Sequence, residues 1–192
     1  VADAGQDGRA NLFVSSQGHF SLRAMTATTL GMEPSALVVE AAEIGGGFGG
    51  KTTIYLEPLA VRLSSKAGRP VRLVMGRDEV FKATGPTSGS RMKIKMGVTN
   101  DGKMTAAQVW MAFEAGAFPG SPVGAAGMTA IACYDIPNFF VEGFDVVCNK
   151  PKVAAYRAPG APIIAYGIES IVDELAMSID MDPIDLRLAN AA

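Results

Sequence analysis

Histidine occurs once in this chain of 192 residues, at His19, and cysteine twice, at Cys133 and Cys148. A metal centre built from clustered imidazoles, or a triad with histidine as base, has almost nothing to draw on. The two cysteines lie far apart and form no C-x-x-C pair, which argues against zinc or iron–sulfur ligation within the chain. They read as two buried thiols in a reducing cytoplasm. No apolar run reaches membrane-crossing length, and no signal peptide opens the chain. A net charge of −2 gives no electrostatic reason to bind nucleic acid or a membrane surface. Apolar residues make up 48% of the chain and charged ones only 19%, enough to fill one domain core or two small ones.

What the sequence has in abundance is glycine in one place, Gly45-Gly46-Gly47-Phe48-Gly49-Gly50-Lys51-Thr52. Backbone of this kind reaches positive φ and lets a flat or charged group come close. A strand-like run, Ala36-Leu37-Val38-Val39-Glu40-Ala41, leads in, and a helix-like run from Thr53 leads out. A strand, a glycine loop and a helix start aim main-chain N–H groups at an anion. Residues 45–52 fit the phosphate-loop pattern G-x-x-x-x-G-K-[ST], and Gly45, Gly47 and Gly50 fit the dinucleotide pattern G-x-G-x-x-G. Neither is completed elsewhere. Gly76 and Arg77 interrupt the strand that would carry a magnesium-holding Asp78, and no acid stands near Pro70, where a dinucleotide fold places one. The loop therefore reads as a backbone cradle for an anionic group, or as a loop that is glycine-rich only for tight packing.

Along the chain, residues 11–16 read as a strand and 19–30 as a helix closed by Gly31. Gln17 sits between them, where an amide can cap the helix or face a ligand. Residues 37–41 and 70–75 read as strands, and 77–83 as a short helix. Leu56, Leu59, Ala60, Leu63 and Ala67 fall on one face of a helix that Gly68 stops. Met92, Ile94, Met96 and Val98 alternate with polar residues, and Asn100-Asp101-Gly102 then marks a hairpin into a strand over 104–113. A helix is expected near 128–133 and a strand over 139–147. Arg157 lies in a loop holding Pro151, Pro159 and Pro162, which limits its freedom and suits a positioned cation; an ordinary solvated arginine is the alternative. Pro162 opens a helix with Ile164, Ile168, Ile171, Val172, Leu175 and Ile179 as its apolar stripe, and with Glu169, Asp173 and Glu174 on a solvated face. Asp182-Pro183 starts a last short helix. The fold class expected is α+β, with mixed sheets and helices packed on them.

Four stretches now stand in order: Val14-Ser15-Ser16-Gln17, the glycine loop, Ala155-Tyr156-Arg157-Ala158-Pro159-Gly160, and the pair Glu169-Ser170-Ile171-Val172-Asp173-Glu174-Leu175-Ala176 and Asp182-Pro183-Ile184-Asp185-Leu186-Arg187. Together they resemble the molybdenum-binding subunit of the xanthine dehydrogenase, aldehyde oxidase and carbon monoxide dehydrogenase family, over residues 12–190. The resemblance implies a molybdenum–molybdopterin cofactor, often in the cytosine dinucleotide form in bacteria, and oxidation with oxygen from water. It implies iron–sulfur and FAD partner subunits or domains and a small-molecule substrate. Gln17 matches the glutamine whose amide bonds an oxygen ligand of the metal. Phe48, with Gly46, Gly47 and Gly49, matches the loop that packs against the metal from its apical side. Arg157 matches the arginine beside it. No side chain here is expected to ligate the metal directly.

Departures narrow the substrate. Thr52, Pro159 and Ala126 stand where purine-oxidising relatives carry a glutamate, a phenylalanine and, nearby, an arginine, and Ala158 stands where carbon monoxide dehydrogenases have cysteine. An aldehyde or an N-heterocycle fits better than purine or carbon monoxide. The resemblance places the family's general-base glutamate and most pterin contacts outside this sequence. Residues 1–192 are thus expected to be the first molybdopterin-binding domain of a larger catalytic subunit, inactive alone. The other readings are a phosphate-loop nucleotide hydrolase, with Lys51 on phosphates and Thr52 on magnesium, and a non-catalytic assembly domain.

Overall fold

Small apolar residues alternate with polar ones on both sides of a turn at residues 5–9, and they pair as antiparallel strands β1 (Ala2–Ala4) and β2 (Ala10–Val14). The computed structural model describes residues 1–192 as two units, Val1–Gly85 with Ala154–Arg157, and Pro86–Val153 with Ala158–Ala192. In the first unit the chain leaves β2 through helix α1 (His19–Leu30), which ends on Gly31 at φ 65. It returns as β3 (Leu37–Ala41), parallel to β2. Parallel neighbours need such a crossover, and its consequence is that β2 and β3 end at the same edge of the sheet.

Helix α2 (Glu57–Ala67) starts later than the run from Thr53 suggested. The Glu57 carboxylate accepts the Tyr55 N–H at 2.6 Å, and Pro58 occupies the first turn. The expected leucine face is also corrected: Ala60, Val61 and Ser64 are buried, whereas Leu59 and Leu63 are exposed. A hydroxyl decides it. Ser64 Oγ accepts from Ala4 N and donates to Arg69 O, both at 2.9 Å, which turns that side of the helix toward β1. The strand expected over 70–75 reduces to one bridge between Val71 and Ala2, and β1, three residues long, was not among the expected strands. Helix α3 (Arg77–Ala83) lies as expected, with the Glu79 carboxylate accepting Gly76 N at 2.7 Å.

The second unit holds β4 (Ser90–Val98), β5 (Met104–Gly116) and β6 (Asn138–Val147) in that order, the first pair antiparallel and the second parallel. The hairpin turn closes with Gly102 at φ 84. Helix α4 (Val123–Thr129) precedes the position expected near 128–133, with Pro122 as its N-cap. Helix α5 (Ala161–Ser178) buries Ile164, Ile168, Val172 and Ala176, one residue per turn against the core with Phe113, Met111 and Val109. The Asp182 side chain caps helix α6 (Pro183–Ala189) by accepting from Ile184 N and Asp185 N.

On α5 Asp173 and Glu174 are exposed and Glu169 half-buried, as a solvated face requires. The face is also paired: Glu169 and Asp173 each meet Arg187 at 2.8 Å, and Glu169 accepts the Tyr134 hydroxyl at 2.8 Å. One expectation fails, since the thiols are not both buried: Cys133 is exposed and Cys148 half-buried. The α+β class with mixed sheets stands. No helix is long and apolar enough to cross a membrane.

Candidate functional site

Because β2 and β3 end side by side, the segments that follow them must meet. Gln17 lies just beyond β2, and the glycine loop begins shortly beyond β3. Gln17 Oε1 accepts from Gly49 N at 2.9 Å and from Lys51 N at 3.1 Å, and Gln17 N donates to Lys51 O at 2.9 Å. Two main-chain N–H groups can be met only by the amide oxygen, so the orientation of this side chain is fixed by its neighbours. Its Nε2 makes no bond within the chain and is left as a pure donor. Gln17 is thus not a helix cap: Gly18 occupies the N-cap of α1, with no side chain bonded there.

The glycines are required by space as well as by φ. A Cβ on Gly47 would overlap the Gln17 amide, and one on Gly46 would come within 2.9 Å of the Phe48 ring. Gly49, at φ 91, lies against Ala155, whose Cβ a side chain there would approach to 3.0 Å. Phe48 itself has φ 50 and its ring is 61% exposed, so the loop presents an aromatic face instead of burying it. The N–H groups of Gly47 and Phe48 take part in no hydrogen bond within the chain and remain available as donors.

Arg157 joins this loop from far along the sequence. Its N–H donates to Phe48 O at 2.7 Å, and its Cζ lies 6.0 Å from the centroid of the Phe48 ring. Of four non-glycine residues with positive φ, three are Phe48, Arg157 and the adjacent Ala158, at 50°, 46° and 57°. Conformations this costly persist where surrounding contacts over-determine them. The structure therefore brings together Gln17, Gly46, Gly47, Phe48, Gly49 and Arg157.

The phosphate-loop arrangement is not formed. Lys51 Nζ is folded back to donate to Ile44 O at 2.7 Å and Ser15 Oγ at 3.0 Å, and no helix starts at Thr52, whose hydroxyl donates to Gly49 O. Ser15, Ser16 and Ala155 also help build the site; the sequence placed them in the stretches that carry the resemblance but gave them no role of their own. No three His, Cys, Asp or Glu side chains stand close enough to hold a metal ion. The donors are free N–H groups, one amide NH₂ and one guanidinium. That set fits an anionic organic cofactor gripped from the side and would not serve a bare cation.

The fold and this donor set define a cofactor-holding domain. The chain belongs to the molybdopterin cofactor-binding domain family, whose profile matches residues 1–191. It is 31% identical over 191 residues to the xanthine dehydrogenase molybdenum-binding subunit of Escherichia coli O157:H7, covering 97% of this chain and 25% of that protein. It is 30% identical over 188 residues to the nicotinate dehydrogenase large molybdopterin subunit of Eubacterium barkeri, covering 96% of this chain and 44% of that protein. Its structure superposes on the aldehyde oxidoreductase of Desulfovibrio gigas with a TM-score of 0.88 at 30% identity, over all of this chain and 21% of that one. The chain thus spans from about a fifth to under half of the length of these relatives.

Proposed function

We propose that this chain is the first molybdopterin-binding domain of the catalytic subunit of a molybdenum hydroxylase, which oxidises an aldehyde or an N-heterocycle. The observation that carries the reading is the Gln17 amide, whose oxygen is consumed by Gly49 N and Lys51 N while its NH₂ stays free on the loop that carries Phe48 and meets Arg157. The bound cofactor supplies the redox centre at which substrate is oxidised with oxygen from water. Gln17 donates from Nε2 to an acceptor atom on that cofactor. Gly46, Gly47 and Gly49 let it approach the main chain, where the Gly47 and Phe48 N–H groups add donors. The Phe48 ring keeps water from one side, and Arg157 balances negative charge.

The general base comes from the remainder of the subunit, and no residue of this chain takes that role. Electrons leave through iron–sulfur and flavin partners, and the cofactor carries the cytosine dinucleotide form. The working compartment is the cytoplasm. Support for the substrate class comes from Thr52, Pro159 and Ala158 at positions where purine and carbon monoxide enzymes differ. The relatives' names span xanthine, nicotinate and aldehydes at similar identity, so these positions carry the choice.

The test is made on the full enzyme, isolated with its partners. Molybdenum and pterin are quantified, released nucleotide is identified, and turnover is measured with aromatic aldehydes and N-heteroaromatics. Gln17→Ala should lower turnover roughly 10- to 100-fold, the equivalent of about 1.5–3 kcal/mol for a hydrogen bond to a charged acceptor, while molybdenum content holds. Unchanged turnover removes Gln17 from the site, and an enzyme free of molybdenum sinks the reading.

A further inference from the structure

Lys51 is the only cation of the glycine loop, and holding the cofactor does not use it. Its ammonium pairs with no carboxylate; it is spent on Ile44 O and Ser15 Oγ. Ile44 and Lys51 flank the glycine stretch, so the 2.7 Å bond between them clasps the loop across its mouth. The rest of residue 51 faces the segment before α1. Its N–H donates to Gln17 Oε1, and its carbonyl accepts from Gln17 N at 2.9 Å and from Ser16 Oγ at 3.3 Å.

We propose that Lys51 is a positioning residue: the clasp formed by its ammonium on Ile44 and Ser15 fixes the orientation of the Gln17 amide. The inference rests on the reading of Gln17 as a donor to the cofactor. A run of glycines has the largest conformational freedom to lose on ordering, and it offers no side chains with which to hold itself. The two N–H groups that orient Gln17, those of Gly49 and Lys51, belong to that run. They keep their aim only if both ends of the run are tied together: the Lys51 carbonyl holds its own end to Gln17 N and Ser16 Oγ, and the Lys51 ammonium adds the tie across to Ile44. The lysine stem borders an apolar cavity of about 340 Å³ lined also by Leu12, Leu22 and Leu56, so an unbranched apolar replacement keeps the packing and loses only the donors.

The experiment uses the full-length enzyme carrying Lys51→Met, Gln17→Ala and both together. Lys51→Met should lower turnover roughly tenfold or more with KM unchanged and molybdenum retained. Hydrogen exchange of the amides at positions 49 and 51 should speed up. The electron-paramagnetic-resonance signal of the bound molybdenum should shift as it does in Gln17→Ala. The double variant should be no slower than Gln17→Ala, because the lysine acts through that amide. Wild-type turnover and exchange in Lys51→Met overturns the proposal, as does a double variant whose losses multiply. If Lys51→Met does not accumulate as folded enzyme, Ser15→Ala removes one of the two acceptors and should shift the same readouts in the same direction; no shift there overturns the proposal too. If Gln17→Ala itself turns over normally, the reading of Gln17 has failed, and amide exchange in Lys51→Met still decides whether the clasp exists.

Discussion

Arg157 donates its main-chain N–H to the carbonyl of Phe48 at 2.7 Å, and both residues hold left-handed backbone conformations, at φ 46 and φ 50. Each conformation costs its residue roughly 1–2 kcal/mol relative to glycine. The cost is borne where an exposed aromatic ring and a guanidinium are set against each other; Phe48 carries it inside the turn that Gly50 N closes onto Gly47 O at 2.8 Å.

Relief of that cost is measurable. Ala158 continues the left-handed run at φ 57. Ala158→Gly should therefore stabilise the chain in chemical denaturation, by about 0.5–1 kcal/mol once the extra freedom of glycine in the unfolded chain is subtracted. A loss of stability would show that the Ala158 methyl makes contacts worth more than the strain.

Two glycine substitutions in one loop should separate space from conformation. A Cβ on Gly47 runs into the Gln17 amide, so Gly47→Ala should lower turnover of the full enzyme about as far as Gln17→Ala does. Overpacking should add a stability loss of about 1–3 kcal/mol. Gly45, at φ 66, has nothing within 4 Å of the same position. Gly45→Ala should cost about 1 kcal/mol in stability and leave the Gln17 amide in place. Equal turnover in the two variants would contradict this assignment of roles.

Asn190 ties the second unit together from its last turn. It is 4% exposed, its Nδ2 donates to Gly102 O and Leu186 O at 2.8 Å, and its Oδ1 accepts from Met104 N at 2.8 Å. Asn190→Ala leaves three buried groups unpaired and should cost about 3 kcal/mol in urea unfolding. Asn190→Asp should be worse at neutral pH, because a carboxylate oxygen then faces two carbonyls. It should recover in acid as the group protonates and donates again.

Tyr134 predicts an alkaline signature. Burial, then the hydrogen bond to Glu169 and its charge, push the hydroxyl up to about 12, with Arg187 opposing. The folded chain thus holds this proton more tightly than the unfolded chain, whose tyrosine titrates near 10. The associated stability is present below pH 10 and lost as pH rises from about 10 to 12. The stability difference between wild type and Tyr134→Phe, followed by thermal melts across that range, should shrink with pH; a constant difference would contradict the linkage.

Much of this architecture could be read from residue order. Helix α1 carried its own end signal in Gly31, the β4–β5 hairpin its turn residues, and α5 an apolar residue at every fourth position from Ile164. Misreadings came where a polar contact outweighed the apolar pattern. On α2, five apolar residues pointed to a leucine face, and one serine hydroxyl bonded to Ala4 and Arg69 turned the neighbouring face of Ala60, Val61 and Ser64 inward. On α5, the exposed side of Glu169 and Asp173 was legible but their partner was not, because Arg187 arrives from a different helix. At the site, the residue types and their loops were legible. The orientation of the Gln17 amide was not, since it depends on two N–H groups more than thirty positions away. The folded-back lysine was hidden by a pattern that glycine-dense sequence satisfies readily.

The parallel pairing of β2 with β3 and the return of residues 154–157 impose an order of arrival. Gln17 and the glycine loop are joined by the first three strands, so they can meet while the chain is still short. Phe48 and Arg157 are separated by more than a hundred residues, which include all of β4, β5 and β6, and closing so long a span carries a larger entropy cost. During synthesis the residues of the amide and its cradle therefore emerge well before the guanidinium does. Until it does, the left-handed Phe48 lacks the Arg157 N–H that its carbonyl accepts in the folded chain, so the last residue of the cluster to arrive is also the one that closes it.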